Sequence, residues 1–248
     1  MLTIAAAMRK QPKWGLSISG DSFDLVERPR GGLSLILADG QGTGEAAKRL
    51  SGMVVARTAN LIAEGARDGA VARAVHDLLY ALRGGRVLCT LTVVSVDLYT
   101  GTLVVSRNSE SPVLLKLGPG PDSPIEVMDE PVEPIGVHDQ MKPAIRQWPV
   151  TAGMTLVAFT DGLTNAGKRR GRPARLADVV ELLRRDEGGE PEVLADHIFD
   201  YILDRCAGRP EDDVTVLVLG IREQPQDNRL RTLSVRLPFS TSDIGRRK

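Results

Sequence analysis

Hydrophobic and polar positions divide the first third of the chain into segments with two different periods. Residues 14–18 alternate between apolar and small or polar side chains, and residues 33–38 form an apolar run interrupted only by Ser34, which is typical of strands. Residues 29–32 contain one proline and two glycines, so the two segments predict a hairpin. From residue 44 to residue 64 the apolar positions recur every three or four residues, and residues 71–82 repeat this pattern, so two amphipathic helices should follow the hairpin.

The rest of the chain predicts further strands and two more helices. Residues 91–96, 103–105 and 113–117 are rich in β-branched residues and are joined by short turns, which indicates a meander. The remaining predicted elements are strands at 125–128, 145–148, 155–160 and 214–219, and helices at 176–183 and 194–202.

This order of elements predicts an α+β fold in which two packed sheets carry helices on their outer faces. A parallel, doubly wound sheet fits less well, because the turns between residues 91 and 117 are too short for crossover helices. We expect one domain over residues 1–222 and a C-terminal extension over residues 223–248. In that extension Leu230, Leu233, Val235 and Leu237 alternate, which indicates an edge strand before a basic, frayed end.

Charge and composition exclude several classes of partner. Lysine plus arginine and aspartate plus glutamate both number 32, so no net field attracts nucleic acid or an anionic membrane. Cys89 and Cys206 show no CxxC spacing, which favours two reduced, buried thiols. The N-terminal apolar patch at residues 2–8 is too short for a secretory signal, and no apolar stretch is long enough to span a membrane. We therefore expect a cytoplasmic protein.

Four aspartates lie at the ends of predicted strands. They are Asp21 after the strand ending at residue 19, Asp39 after 33–38, Asp161 after 155–160, and Asp212 before 214–219. Carboxylates gathered at strand ends repel one another unless cations neutralise them. Oxygen ligands suit Mg²⁺ or Mn²⁺, whereas the three scattered histidines do not form a zinc site. Taken singly, each aspartate is an ordinary turn residue, and only the set of four indicates a metal centre.

The motifs around these aspartates resemble those of the metal-dependent protein phosphatases of type 2C. The motifs are Ser-Gly-Asp at 19–21, Leu-Ala-Asp-Gly-Gln-Gly-Thr-Gly-Glu-Ala-Ala at 37–47, Phe-Thr-Asp-Gly-Leu at 159–163 and Asp-Asp-Val-Thr at 212–215. The match covers residues 15–221 and is nearest to the branch of stage II sporulation protein E and the phosphatases of stress-sigma-factor pathways. This resemblance implies a central antiparallel β-sandwich flanked by helices on both faces.

The resemblance also implies a catalytic site with two Mn²⁺ or Mg²⁺ ions. Asp39 and the carbonyl of Gly40 would bind metal, with Asp39 bridging both ions. Asp161 and Asp212 would hold one ion, and Asp21 would help to hold the other. Asp39 and Asp161 are therefore the candidate catalytic residues, and metal-activated water would hydrolyse phosphoserine or phosphothreonine. The implied partner is a phosphorylated protein, either an anti-sigma-factor antagonist or a stressosome-like scaffold.

Some positions depart from the family pattern. Thr43 stands where many relatives have histidine, and residues 107–112 match an Asn-Ala-Gly-His stretch only in part. The chain contains neither a Cys-x5-Arg loop nor an Asp-x-Asp-x-Thr signature, which argues against a covalent phosphoenzyme. The alternative function is a catalytically idle scaffold that binds a phosphorylated regulator. No sensor segment precedes the predicted domain in this sequence, so we expect control by partner proteins or by contacts between copies.

The segment 164–175 carries five basic residues directly after Asp161 and Gly162. One interpretation is a solvated surface loop, since basic clusters of this size often bind nothing. The other is a docking flap that attracts a negatively charged phosphosegment at the rim of the site.

Overall fold

Two five-stranded antiparallel sheets pack face to face in the computed structural model, which describes residues 1–224 and 230–238. With strands numbered in chain order, the first sheet runs β1 (Leu2–Gln11), β10 (Val214–Glu223), β9 (Thr155–Phe159), β6 (Val113–Lys116) and β7 (Ile125–Met128). The second runs β2 (Asp21–Glu27), β3 (Gly32–Gly40), β4 (Cys89–Asp97), β5 (Thr102–Asn108) and β8 (Ala144–Pro149). The helices are α1 (Gly44–Ala63), α2 (Asp68–Arg83), α3 (Asp161–Asn165), α4 (Leu176–Arg185) and α5 (Pro191–Arg205), with a short 3₁₀ helix at Lys168–Arg170.

The central strands read as continuous apolar runs because both of their faces are covered. In β3, Leu35 points into the core between the sheets, and its neighbour Ile36 packs against α1 and α2. In β10, Leu217 lies in the same inter-sheet core, and Val218 packs against α4 and α5. Fully burying a Leu, Ile or Val side chain contributes about 1.5–3 kcal/mol, so this double coverage stabilises the whole layered structure. The α+β prediction of a sandwich with helices on both faces is thus confirmed.

The predicted first strand is wrong. Residues 13–20 form neither strand nor helix, and the chain instead has β1 before them and β2 after them. The alternation of Trp14, Leu16 and Ile18 has no sheet to bury it, and all three side chains are exposed. The predicted hairpin does exist, but its first strand is β2, in which Asp21 pairs with Asp39. Asp21 therefore begins a strand and does not follow one.

The predicted three-stranded meander is half correct. β4 pairs with β5, but β5 then pairs with β8, and β6 crosses to the first sheet between β7 and β9. The buried guanidinium of Arg107 donates to the carbonyls of Ser109 and Glu130, which holds the chain in the crossing segment. Short turns allow a hairpin but do not require one, and the pattern of β6 does not reveal which sheet it joins.

The predicted edge strand is absent from the described part of the C-terminal extension. Residues 230–238 adopt neither strand nor helix, and Leu230, Leu233, Val235 and Leu237 are exposed. Alternation alone does not make a strand where no sheet face covers the apolar side chains. The predicted basic end at residues 239–248 lies outside the described residues. Within the described parts of the chain, no helix combines the length and the apolar character needed to cross a membrane.

Candidate metal centre

The predicted metal-binding residues come together at one end of the sandwich. Asp21 opens β2 directly opposite Asp39, and Gly40 ends β3. Asp161 is the first residue of α3, immediately after β9, and Asp212 lies two residues before β10. Because Phe159 pairs with Val216, the end of β9 adjoins the start of β10. The two sheets thus contribute carboxylates to the same end.

Asp39 lies at the electrostatic centre of this group. Burial, followed by the negative charges of Asp21, Asp161 and Asp212, raises the pKa of its carboxyl to about 9. Burial and the charge of Asp212 likewise raise the pKa of Asp161. Mutual repulsion of this kind requires the carboxylates to be close to one another. The four aspartates predicted from the sequence therefore form one cluster, although their role as ligands stays a prediction.

The carboxylate of Asp21 links the two sheets through one oxygen, while its other oxygen accepts no hydrogen bond from the described residues. Its Oδ2 accepts hydrogen bonds from Thr215 Oγ1 at 2.5 Å and from Thr160 Oγ1 at 3.0 Å. Its Oδ1 is buried and has no hydrogen-bond partner within the described residues. Burial raises the pKa of this carboxyl to about 6, against the effect of the two hydroxyl donors. An unsatisfied buried acceptor costs about 1–3 kcal/mol, a cost that a bound cation would remove.

Neighbouring polar side chains fix the orientation of Asp161. Asn165 Nδ2 donates to its Oδ2 at 3.0 Å, and Lys168 Nζ donates to Asn165 Oδ1 at 2.9 Å. The next residue must be glycine, because a Cβ at Gly162 would lie 2.0 Å from the carbonyl oxygen of Asp213. The Asp-Gly pair therefore reflects close packing of α3 on β10, and it leaves the carboxylate at the helix start.

Gly40 has no space for a side chain either. A Cβ there would lie 2.3 Å from the carbonyl oxygen of Ala47, so α1 packs directly on the end of β3. Gly42 and Gly44 have φ angles of 98° and 69°, which favour glycine and let the chain turn from the strand into the helix. Thr43 precedes α1, is exposed and makes no capping hydrogen bond through its side chain. The glycines of this motif therefore form the tight turn between β3 and α1.

Asp212 and Asp213 differ in what they contact. Both oxygens of the buried Asp213 carboxylate accept backbone hydrogen bonds, Oδ1 from Lys13 N at 2.9 Å and Oδ2 from Gly20 N at 2.8 Å. Asp212 is partly exposed, and its Oδ1 accepts only the backbone N–H of Asp213, at 3.0 Å. Asp213 therefore anchors the loop at residues 13–19, whereas Asp212 is available to the cluster.

The sequence analysis missed two lysines beside the cluster. Lys10 Nζ and Lys48 Nζ both donate to the backbone carbonyl of Asp21, at 2.6 and 2.9 Å. Burial, followed by the charge of Lys48, lowers the pKa of Lys10 to about 8. Lys48 has no distinctive motif, and Lys10 lies in β1, a strand that the apolar pattern did not predict. Their positive charges offset part of the charge of the aspartates.

Other residues named by the sequence analysis have structural roles. Cys89 and Cys206 are free and buried, as predicted. Ile135 forms a β-bridge with Cys89, and Gly136 N donates to His76 Nδ1 at 3.1 Å. Residues 134–136 (Pro-Ile-Gly) therefore support β4, in which Cys89 pairs with Gly40. The other two histidines, His138 and His197, are exposed.

The cluster suits hard divalent cations. In the described residues, no three Asp, Glu, His or Cys side chains are already arranged to hold one metal ion. Mg²⁺ is commonly bound through only one or two carboxylates and keeps several waters, so such a triad is not required. The free Oδ1 of Asp21 and a donor set made only of oxygens fit this mode of binding.

Comparisons with known proteins identify the family and proteins with the same fold. The family model described as stage II sporulation protein E (SpoIIE) matches residues 29–222. Stage II sporulation protein E of Priestia megaterium is 22% identical over 85% of this chain, and the chain spans only 35% of the length of that relative. The phosphatase domain of Bacillus subtilis SpoIIE superposes with a TM-score of 0.74 at 20% identity, over 90% of this chain and 65% of that one. The catalytic domain of the serine/threonine phosphatase PstP, solved with two manganese ions, gives 0.66 at 18% identity, over 90% and 100% of the two chains.

Proposed function

The chain belongs to the stage II sporulation protein E family, and we propose that it is a metal-dependent protein serine/threonine phosphatase. The observation that carries this proposal is the aspartate cluster around the buried Asp21, whose Oδ1 has no hydrogen-bond partner among the described residues. The proposed reaction is hydrolysis of phosphoserine or phosphothreonine by direct attack of water.

Two Mn²⁺ or Mg²⁺ ions would be held by Asp39 with the carbonyl of Gly40, by Asp161 with Asp212, and by Asp21. When bound, ions of this kind activate water and neutralise charge on phosphoryl oxygens. The protein's own side chains prepare the site for them. Thr160 and Thr215 hold Asp21 in place, and Asn165 orients Asp161.

Neither cysteine is a good covalent nucleophile. Cys89 lies closest to the cluster, but it is buried, and burial followed by the charges of Asp39 and Asp21 raises the pKa of its thiol well above the usual value. Cys206 is buried on the other side of the molecule's first sheet, beneath α5, and burial raises the pKa of its thiol too. Neither thiol is therefore poised to form a thiolate, which favours direct hydrolysis.

The proposed substrate is a phosphorylated regulatory protein, either an anti-sigma-factor antagonist or a stressosome-like scaffold. This part of the proposal comes from the family resemblance alone. The chain spans 35% and 24% of the curated relatives, so their partners do not transfer automatically. The alternative of an idle scaffold is less favoured, because every carboxylate that the family pattern requires is present and lies in the cluster.

Hydrolysis of p-nitrophenyl phosphate tests the proposal. We expect activity that requires Mn²⁺ or Mg²⁺, disappears in excess chelator and returns when metal is restored. Asp39→Asn and Asp161→Asn should each lower turnover by at least about a hundredfold, because each removes charge from the metal site. Asp200→Asn, at an exposed position of α5, is the matched control and should be unaffected. Full activity in excess chelator, or in both site variants, would exclude the proposed function.

A further inference from the structure

The loop at residues 13–19, which joins β1 to β2, is held firmly beside the aspartate cluster. Its two ends are tied to a single carboxylate, since Asp213 accepts hydrogen bonds from the backbone N–H groups of Lys13 and Gly20. Asp213 directly follows Asp212 in the sequence, and Gly20 directly precedes Asp21. The loop therefore forms part of the rim of the candidate site.

This loop exposes three large apolar side chains. Trp14, Leu16 and Ile18 are 60%, 39% and 41% exposed. Isolated apolar residues are common on protein surfaces, but three within five residues, next to a candidate active site, form a patch of the kind that binds partners. The backbone is not loose here, because Trp14 N donates to Pro210 O at 2.9 Å and Leu16 N to Lys13 O at 3.0 Å. The loop thus presents apolar side chains from a fixed turn.

Positive charge borders the apolar side chains. The guanidinium of Arg209 lies 5.0 Å from the centroid of the Trp14 ring. The backbone N–H of Arg169 donates to Glu211 Oε2 at 3.3 Å, which places the 3₁₀ helix beside the same segment. The side chains of Arg169, Arg170 and Arg209 are exposed and form no ion pair with any described residue. The surface therefore combines exposed apolar groups with unpaired cations.

A phosphorylated, acidic segment with apolar residues has the complementary chemistry. Its charges would pair with the arginines, and its apolar side chains would cover Trp14, an aromatic residue of the type that often dominates binding energy. On the basis of the phosphatase function proposed above, we propose that residues 13–19 and Arg209 form a docking surface for the part of the phosphoprotein that flanks the phosphorylated residue.

Two synthetic phosphoserine peptides of equal length and equal acidic charge test this proposal. One carries leucines on both sides of the phosphoserine, and the other carries serines at those positions. The unmodified protein should hydrolyse the leucine peptide with at least about a tenfold higher kcat/KM, mainly through KM, because burying apolar side chains favours that complex. The combined variant Trp14→Ala, Leu16→Ser, Ile18→Ser should hydrolyse the two peptides equally. The ratio of the two rates cancels any general loss of activity.

Tyr99→Ala provides the matched control. Tyr99 is 68% exposed and lies under the guanidinium of Arg30 at 4.8 Å, like Trp14 under Arg209, but it lies at the opposite end of the sandwich. This variant should keep the preference for the leucine peptide. Loss of the preference in Tyr99→Ala, or its persistence in the triple variant, would overturn the docking proposal.

Binding measured without turnover separates this proposal from the proposed function. Only two tryptophans are present, so in Trp148→Phe the fluorescence reports on Trp14, and the leucine peptide should shift its emission to the blue. If p-nitrophenyl phosphate is hydrolysed but neither the shift nor the preference appears, the docking surface is wrong and the phosphatase function stands. If the shift appears without any metal-dependent hydrolysis, the proposed function fails and the docking surface stands.

A dimer that the triple variant converts to a monomer would instead assign the patch to a contact between copies and overturn the proposal.

Discussion

The adjacent aspartates 212 and 213 allow the anchoring role and the metal-site role to be separated by single substitutions. Asp213→Ala removes a buried carboxylate that accepts backbone hydrogen bonds from Lys13 and Gly20. Hydrogen bonds to a charged group contribute about 1.5–3 kcal/mol each, and the buried N–H of Gly20 would lose its partner. Part of this loss of stability is offset, because the substitution also removes a negative charge that repels Asp21. We therefore expect the free energy of unfolding to fall by about 2–4 kcal/mol.

Urea unfolding, followed by tryptophan fluorescence in excess chelator, measures this change without a contribution from metal binding. Asp213→Asn keeps one acceptor oxygen but turns an amide N–H₂ toward the second donor. It should therefore lower the free energy of unfolding by about half as much as Asp213→Ala. Asp212→Asn is the matched control, because its amide oxygen can still accept the N–H of Asp213, while loss of the charge relieves repulsion with Asp39 and Asp161.

Asp212→Asn should therefore keep or slightly raise the stability of the metal-free protein while abolishing metal-dependent hydrolysis. Two results would refute the reasoning. One is an Asp213→Ala protein whose unfolding free energy lies within about 0.5 kcal/mol of the unmodified protein, a difference typical of an uninvolved surface position. The other is an equal loss of stability in Asp212→Asn and Asp213→Ala.

Two further changes address the substrate and the metal. Arg169→Ala combined with Arg170→Ala should raise KM for an acidic phosphopeptide more than for p-nitrophenyl phosphate, and more at low salt. Arg172→Ala should not have this effect, because Arg172 already pairs with Asp204 at 3.0 Å. An unchanged KM for the phosphopeptide in the double variant would leave a solvated loop as the explanation. Thr215→Val should weaken Mn²⁺ binding by about tenfold to a hundredfold in calorimetry, because it removes the shortest hydrogen bond to the carboxylate of Asp21. Thr215→Ser should restore the Mn²⁺ affinity. An unchanged affinity in Thr215→Val would show that the hydroxyl does not support the metal site.

Elements covered on both faces were the easiest to predict. The strands β3, β9 and β10 appear as mainly apolar runs because helices cover one face and the other sheet covers the opposite face. Asp39 lies near the end of β3, and Asp161 follows β9 after one intervening residue. These two strands belong to different sheets, so the two aspartates meet because the sheets stack with these strand ends at the same end of the molecule. The period of α1 was equally clear, and the helix runs over Gly44–Ala63.

Elements at the edges of the sheets were harder to predict. β1 and β2 are edge strands with partly exposed residues, so their apolar pattern is mixed, whereas the exposed loop between them happens to alternate. The pairing of β6 depends on partners far away in the sequence, which local periodicity does not encode. For the same reason the pattern gave no sign that Lys10 would reach the carbonyl of Asp21.

The contact that crosses the sandwich explains why the carboxylates lie where they do. Asp21 begins a strand of the second sheet, yet its Oδ2 accepts hydrogen bonds from Thr160 and Thr215, which follow β9 and lie in β10 of the first sheet. A hydrophobic residue at position 21 would avoid the cost of burying a charge, but it would also cut this link at the end where apolar packing stops. Asp39 receives no hydroxyl hydrogen bond from any described residue, and its pKa is raised to about 9, compared with about 6 for Asp21. The neighbouring aspartates all raise the pKa of Asp39, so bound cations would relieve repulsion at this position.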